Sequence, residues 1–404
     1  ASPGNVMTSY RLKQQFMGAF VNYQIKRGKL DFVTGIHVNQ FKSDHFMEVN
    51  WANNIPAAYK PNHLVYFNTG FKNEASVFAK INYDFTNRFS VFSDVQVRQS
   101  SFRYEGRDME FRKERGTVEN MQWLFVNPRA GARFGLNRFV SFYAMAGMSM
   151  REPTRFDYLQ DDFAPRDIKQ NEIKPEQVVN VEFGSELSGF VNGKINVYAM
   201  EFQNQIVGTG ALNNFGYPVT GNVGRSYRRG IEIDLKRQLG NYLNIWVSSA
   251  FSSNKVEQFT QTYSNPIQDN PPITQTYSNT NLAFSPNQIH NIGIEANAWN
   301  KRLSAGVSFR HVGMQYLDNT SNKDLSLPAF NVLDLQVGLN PSNFKIKALP
   351  QISLRVNNIL DAKFAPSGSL GGDNTINSTG QRGQFALFLP NAGINYFCTA
   401  TWVF

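Results

Sequence analysis

The chain has 404 residues, with 40 Lys/Arg against 31 Asp/Glu, a formal net charge of +9, one cysteine and 5 histidines. A lone Cys398 excludes an internal disulfide framework and any cysteine-based metal site, and the scattered His37, His45, His63, His290 and His311 lack metal-ligand spacing. The basic residues are dispersed along strand faces and loops rather than clustered, which argues against a nucleic-acid partner, and no apolar run approaches the roughly 18 to 20 residues of a membrane helix.

The N-terminal Ala1-Ser-Pro-Gly-Asn is neither a charged n-region nor a leader, so an exported form has already lost its signal. A first strand is expected near Phe16 to Ile25, closed by a turn at Arg27-Gly28, and a polar, aromatic-bearing loop at about 40–73 follows. From there period-2 alternation recurs to the end of the chain. Val77, Ala79, Ile81, Tyr83 and Phe85 alternate with Ser76, Lys80, Asn82 and Asp84. Val179, Val181, Phe183 and Leu187 do so with Asn180, Glu182 and Glu186, and Ile231, Ile233 and Leu235 with Glu232, Asp234 and Lys236. Ile292, Ile294, Ala296 and Ala298 follow, then Leu333 to Leu339, then Ile352, Leu354 and Val356.

The connections sort by length. Short turns sit at Thr86 to Arg88, Gly135 to Asn137, Ser188 to Gly193, Gly240-Asn241, Asn300-Lys301 and Pro341 to Ala348. Longer loops lie between them, at about 105–122, 151–176, 204–226, 255–281, 317–328 and 359–393. Strands of about 9 to 12 residues, joined by turns that are short on one side and long on the other, are the pattern of an outer-membrane barrel. The chain is therefore read as all-β, a transmembrane antiparallel β-barrel segment of roughly fifteen strands. A soluble all-β binding module is the competing class. Single-chain bacterial barrels have even strand numbers, so an odd count points to the C-terminal part of something larger.

The last ten residues agree. Tyr396, Cys398, Ala400, Trp402 and Phe404 share one strand face, with Asn395, Thr399 and Thr401 on the other. Ending on a bare aromatic gains nothing for a frayed soluble terminus, but it suits a closing strand that meets lipid. Tyr396, Trp402 and Phe404 are thus the candidate barrel-assembly signal, and the 34 Phe, 16 Tyr and 5 Trp suit interfacial girdles.

Several segments resemble TonB-dependent outer-membrane receptors. Asn357-Asn358-Ile359-Leu360-Asp361-Ala362-Lys363-Phe364 is similar to the segment before their last loop, Pro390-Asn391-Ala392-Gly393 to the lead-in of their last strand, and Phe404 to their terminal aromatic. Arg151-Glu152-Pro153-Thr154-Arg155-Phe156-Asp157-Tyr158, Lys174-Pro175-Glu176 and Gln315 to Asn322 look like the iron-complex branch. The matches span about residues 120–404. The resemblance implies a 22-stranded barrel filled by an N-terminal plug and driven by TonB, importing a ferric siderophore, haem or cobalamin. Plug, TonB box and the first strands are missing from residues 1–404, so the resemblance also implies a missing N-terminal half or a partner chain. A passive pore or assembly subunit is the alternative. Outer-membrane lipid, lipopolysaccharide and the barrel-assembly machinery are the remaining implied partners, and no cofactor is implied.

No G-x-S-x-G elbow, H-E-x-x-H helix or P-loop is present, so no enzyme is expected. The carboxylate pairs Asp161-Asp162 and Glu232/Asp234 read as solvated loop and lumen wall. Gly368-Ser-Leu-Gly-Gly reads as loop flexibility, and Arg310 and His311 as lumen polar groups. Candidate ligand contacts are His45, Trp51, Tyr59 and Tyr66 in the 40–73 loop, with Arg151, Glu152, Tyr158 and Asn319. Aromatic faces stack on planar ligands and arginines neutralise anionic ones, and long loops are where such contacts belong.

Overall fold

A computed structural model describes residues 5–53, 63–108, 117–158, 173–212, 218–264, 271–299, 302–340, 349–377 and 380–402. The antiparallel ladder begins with β1 (Val6–Arg27), β2 (Leu30–Ala52), β3 (His63–Asp84), β4 (Phe89–Asp108), β5 (Thr117–Gly135) and β6 (Val140–Arg151). It continues through β7 (Glu176–Leu187), β8 (Asn192–Leu212), β9 (Pro218–Leu239) and β10 (Leu243–Tyr263). β11 (Ile273–Asn281) and β12 (Gln288–Ala298) together occupy one position, since β11 pairs with the upper half of β10 and β12 with its lower half. The ladder closes with β13 (Leu303–Val312), β16 (Phe330–Leu339), β17 (Gln351–Asn357) and β20 (Asn395–Thr401). The short pairs β14 (Gln315–Tyr316) with β15 (Ser326–Leu327), and β18 (Ser367–Gly371) with β19 (Phe385–Leu389), stand apart. Among the described residues this gives fifteen successive positions along the ladder, of which β1 and β20 are the two edges.

The two faces differ in chemistry because strand side chains alternate. The outer face is apolar where strands pair: Ile36, Val77, Val97 and Val126 lie side by side on β2 to β5, and Ile294, Val307, Leu335, Val356 and Tyr396 on β12 to β20. Val77, Phe183, Ile294 and Leu354 are 48%, 57%, 49% and 42% exposed. A water-soluble monomer rarely leaves a continuous apolar patch above a few hundred Å², so hydrocarbon is the medium this face fits. The apolar run on β2 ends at Val38, and the next outer pair, Gln40 with Asn73, is joined by a 2.9 Å hydrogen bond. Leu30 to Val38 matches the roughly 9 to 11 residues that a tilted strand needs to cross.

The inner face is polar and internally paired. Arg129 donates to Asp94 (2.8 Å), Arg133 to Glu186 (2.8 Å), and Asn127 to Gln96 (3.3 Å). Asn196 accepts from Tyr143 (2.9 Å) and donates to both Glu182 (3.3 Å) and Glu232 (3.4 Å). Glu182, Asn196, Tyr198, Arg228 and Glu232 line an inner cavity of about 370 Å³.

The strands are longer than the alternation implied. β2 and β3 take up most of the expected 40–73 loop, leaving only 53–62 between them. The regular apolar alternation breaks where the strand leaves hydrocarbon, but backbone pairing continues through polar partners such as Asp44 with Thr69. Two further expectations change. Gly368 to Gly371 belong to β18, paired with β19, rather than to a flexible loop. His311 shares the outer face with Val307 and Phe309, stacks on His290 (ring centroids 5.6 Å) and pairs with Asn331 (2.8 Å). The turns Asn300-Lys301 and Pro341 to Ala348 lie outside the described residues.

Candidate ligand-facing site

The upper inner surface is built around the segment that follows β6. The short helix α1 (Arg155–Tyr158) folds inward against the wall, and Glu152, Thr154, Asp157 and Tyr158 each have a local reason to be there. Thr154 donates through its backbone N–H and hydroxyl to Asp157 (both 2.7 Å), closing the turn that starts α1. The other Asp157 oxygen accepts from Thr220 on β9 (2.8 Å). Tyr158 is fully buried, its hydroxyl donating to the carbonyl of Ile173 (3.0 Å). Around it pack Met121, Trp123 and Phe125, the inward positions of β5, whose outward neighbours Gln122 and Leu124 are exposed.

Glu152 is the electrostatic anchor. Its carboxylate accepts from Arg98 (2.7 Å), Lys72 (2.7 Å) and Ser100 (3.0 Å), while Arg98 also reaches Glu74 (3.3 Å) and stacks 4.9 Å from the Phe125 ring. Burial alone pushes the Glu152 carboxyl up, but the hydrogen bonds from Arg98 and Lys72 outweigh it and hold it at about 2. A carboxyl depressed from its ordinary value of 4.5 to about 2 favours the folded segment at neutral pH. That contribution is full above about pH 5 and fades as the pH falls through about 2. Protection of the 152–158 amides from hydrogen exchange is therefore expected to drop between pH 5 and 2, and protection that stays constant over this window would contradict the network.

The sequence-derived candidates fall into separate groups. His45 on β2 contacts Ser43 (2.9 Å) and Arg155 (3.2 Å), so His45, Glu152 and Tyr158 meet around one inserted segment. Arg151, at the end of β6, pairs with Glu176 (3.5 Å) and is exposed on the rim. Asn319 belongs to a second cluster: it accepts from the Ala283 N–H (2.9 Å) and donates to the Gly208 carbonyl (2.8 Å). Trp51 is exposed near the top of β2. Tyr66 is on β3, opposite Met47, whereas Tyr59 lies outside the described residues. At the C-terminus Tyr396 is on the outer face of β20 and Trp402 follows it, both exposed; Phe404 lies outside the described residues. Sequence reasoning missed Lys72, Arg98 and Ser100, which lie on the polar face of ordinary alternating strands and gain their role only by facing Glu152.

It also missed Arg382. The connection between β17 and β20 sends residues 373–377 and 380–384 back across the ladder. Arg382 forms a buried ion pair with Asp318 (2.9 Å), donates to the Tyr277 hydroxyl (2.9 Å) and lies 5.3 Å from the Tyr263 ring centroid. Asn374 bonds Gln261 (3.0 Å), and Gln384 bonds the Gly210 carbonyl (2.8 Å). The result is a strap tying the last connection to β8, β10 and β11.

A family profile described as "TonB dependent receptor-like, beta-barrel" matches residues 2–359. No sequence match was found among curated proteins. Solved structures with a similar fold include the copper transporter OprC (TM-score 0.69, 14% identity, covering 97% of this chain and 57% of that one). The ferric yersiniabactin uptake receptor FyuA from Yersinia pestis is another (0.64, 15%, 98% and 55%), as is the siderophore receptor PiuA from Acinetobacter baumannii (0.68, 13%, 97% and 56%). The chain thus spans a little over half the length of these structures. With the profile covering most of its length and the ladder following the same fold, the chain belongs to the TonB-dependent receptor family, as the family's β-barrel.

Proposed function

We propose that the chain is the C-terminal part of an outer-membrane barrel, about fifteen of 22 strands. Its function in this reading is TonB-dependent import of an iron complex, a ferric siderophore or haem. A plug and the remaining strands, supplied by polypeptide beyond residues 1–404, complete it. The observation that carries this reading is the profile match over residues 2–359 on a ladder with an apolar outer and a polar inner face. Siderophore and ferric-complex receptors among the similar structures favour an iron complex over cobalamin. The edges β1 and β20 fit continuation by further strands, because unsatisfied backbone groups in hydrocarbon cost several kcal/mol each.

In this mechanism the inner wall accommodates the plug. Glu182 and Glu232, bridged by Asn196, offer a basic plug side chain two acceptors beside the inner cavity. Ligand capture falls to exposed or half-exposed groups on the upper inner surface, Arg151, His45 and Arg155, with Trp51 near the rim; Tyr59 and Tyr66 join them as proposed contacts by their place in the chain. Glu152, Tyr158 and Asn319 position the segments that carry them. Above the apolar band the outer-face Lys13, Lys42 and Arg103 suit lipopolysaccharide phosphates, and Tyr396, Trp402 and Phe404 suit recognition by the barrel-assembly machinery.

The test is growth. The native gene product, expressed in a bacterium lacking its own receptors, is expected to restore growth on a ferric siderophore or haem under iron limitation only when TonB is present. Growth without TonB would indicate a passive pore, and rescue of cobalamin-dependent growth alone would move the ligand assignment.

A further inference from the structure

Basic residues are spread along the chain, but the net positive charge of its connections falls at one end of the ladder. The seven short connections lie between β1 and β2, β3 and β4, β5 and β6, β7 and β8, β9 and β10, β12 and β13, and β16 and β17. They contain Lys29, Arg88, Arg138, Lys301, Arg302, Lys345 and Lys347, and no Asp or Glu. Seven of the nine net positive charges therefore sit in these turns. Lys26 and Arg27 stand at the start of the first. The seven connections at the opposite end carry 11 Lys/Arg against 13 Asp/Glu. Lys301, Lys345 and Lys347 lie outside the described residues and enter by their place in the chain alone.

The basic turns are set in an exposed apolar rim. Phe85, Phe89, Leu136, Phe139, Phe190, Tyr242 and Trp299 are 37% to 76% exposed at this end. The charges are held at the same level: the Arg138 guanidinium lies 4.5 Å from the Phe139 ring centroid, and Lys29 donates to the Phe85 carbonyl (2.7 Å), linking the first turn to the second. Aromatic rings favour the headgroup depth of a bilayer, with one side apolar and the other wet. A cation fixed beside such a ring reaches the phosphate layer and not bulk water. Lys26, Arg27, Lys29, Arg88 and Arg138 are all exposed.

We propose that this rim binds anionic phospholipid headgroups of the leaflet that surrounds the short turns. The inference rests on the outer-membrane reading, under which short turns face the periplasm and the lipid in question is the phosphatidylglycerol-type component of the inner leaflet. The chemistry is that of juxtamembrane basic segments, which hold anionic headgroups by summed Coulomb attraction within a Debye length. The connections of the opposite end, with their slight acidic excess, lack this complement.

The experiment uses the full native protein folded in neutral detergent. Native mass spectrometry measures how many phosphatidylglycerol and phosphatidylcholine molecules of equal chain length stay bound. Wild-type protein is expected to retain phosphatidylglycerol at least several-fold better, and to lose that preference in high salt. The triple variant K29Q/R88Q/R138Q is expected to cut the preference several-fold. The charge-keeping R88K/R138K variant, and K174Q/K323Q in the exposed connections of the other end, are expected to keep it. Equal retention of the two lipids by the wild type would overturn the proposal, as would an unchanged preference in the triple variant. Heat-modifiable gel migration, read on the same samples, reports whether the protein is a folded barrel, so failure of the membrane reading is seen separately from failure of the lipid preference.

Discussion

Replacing Glu152 with alanine is expected to free the 152–158 segment from the inner wall. The carboxylate is 6% exposed and satisfies Lys72, Arg98 and Ser100 together, so its removal takes the carboxylate partner from Lys72 and leaves Arg98 to Glu74 alone. Breaking one side of such a buried network costs about 3 to 5 kcal/mol. The cost is local, because β6 ends at Arg151 and the segment is otherwise held by Asp157, Tyr158 and the apolar cluster around Trp123 and Phe125. The expected readouts are faster hydrogen exchange over 152–158 and new protease cleavage near α1, with heat-modifiable migration of the barrel retained. Glu152→Gln, which keeps an acceptor but loses the charge, is expected to give a smaller effect. If Glu152→Ala left exchange at α1 unchanged, the anchor would be the apolar cluster and not the ion network.

A comparable effect is expected from Arg382→Ala. Asp318 has a side-chain exposure of 1% and its charged partner is Arg382, so the variant strands a carboxylate among Tyr263, Tyr277 and Thr320. The cost is again about 3 to 5 kcal/mol, and it falls on the strap at 373–384. Cleavage within 373–384 is expected to rise sharply. The double variant D318N/R382M is expected to recover much of the loss, because removing both charges avoids an unpaired one. Equal cleavage of wild type and Arg382→Ala would mean that Asn374 and Gln384 hold the strap without the ion pair.

The fold was readable because alternation is enforced by two solvents at once. Val77, Ala79, Ile81 and Tyr83 must face hydrocarbon, while Ser76, Lys80 and Asn82 must not, so the sequence repeats the strand period wherever the chain crosses. Above Val38 that constraint disappears. Gln40, Lys42 and Asp44 still occupy paired strand positions, but the apolar–polar alternation breaks there, with Phe41 and Phe46 on opposite faces, and a period-2 reading takes them for loop. The family segments were legible for a local reason. In the run from Asn357 to Phe364, Asn358 (φ 51°) and Asp361 (φ 48°) adopt left-handed backbone, a conformation that Asn and Asp tolerate better than most residues. The Asn358 side chain closes the turn by bonding Ala362 in both directions (3.0 Å each), and Asp361 accepts from the Ile394 N–H (2.9 Å).

Side-chain roles at the site were less legible. Glu152 and Tyr158 stood out by their resemblance to a receptor stretch, yet nothing local says that a carboxylate will meet Lys72 and Arg98, because those contacts join residues far apart in the chain. Arg382 was invisible for the same reason: a lone arginine in a polar stretch reads as solvated until the connection folds back over Tyr263 and Tyr277.

The continuation of β2 from Gln40 to Ala52 has a mechanical consequence. At about 3.3 Å per residue, those positions make a stiff collar roughly 40 Å long, cross-linked to β1 and β3 by main-chain bonds. Such a collar resists bending far better than free loops would. Widening or narrowing of the mouth would then be left to the inserted 152–158 turn and the 373–384 strap, hinging against a frame that stays in place.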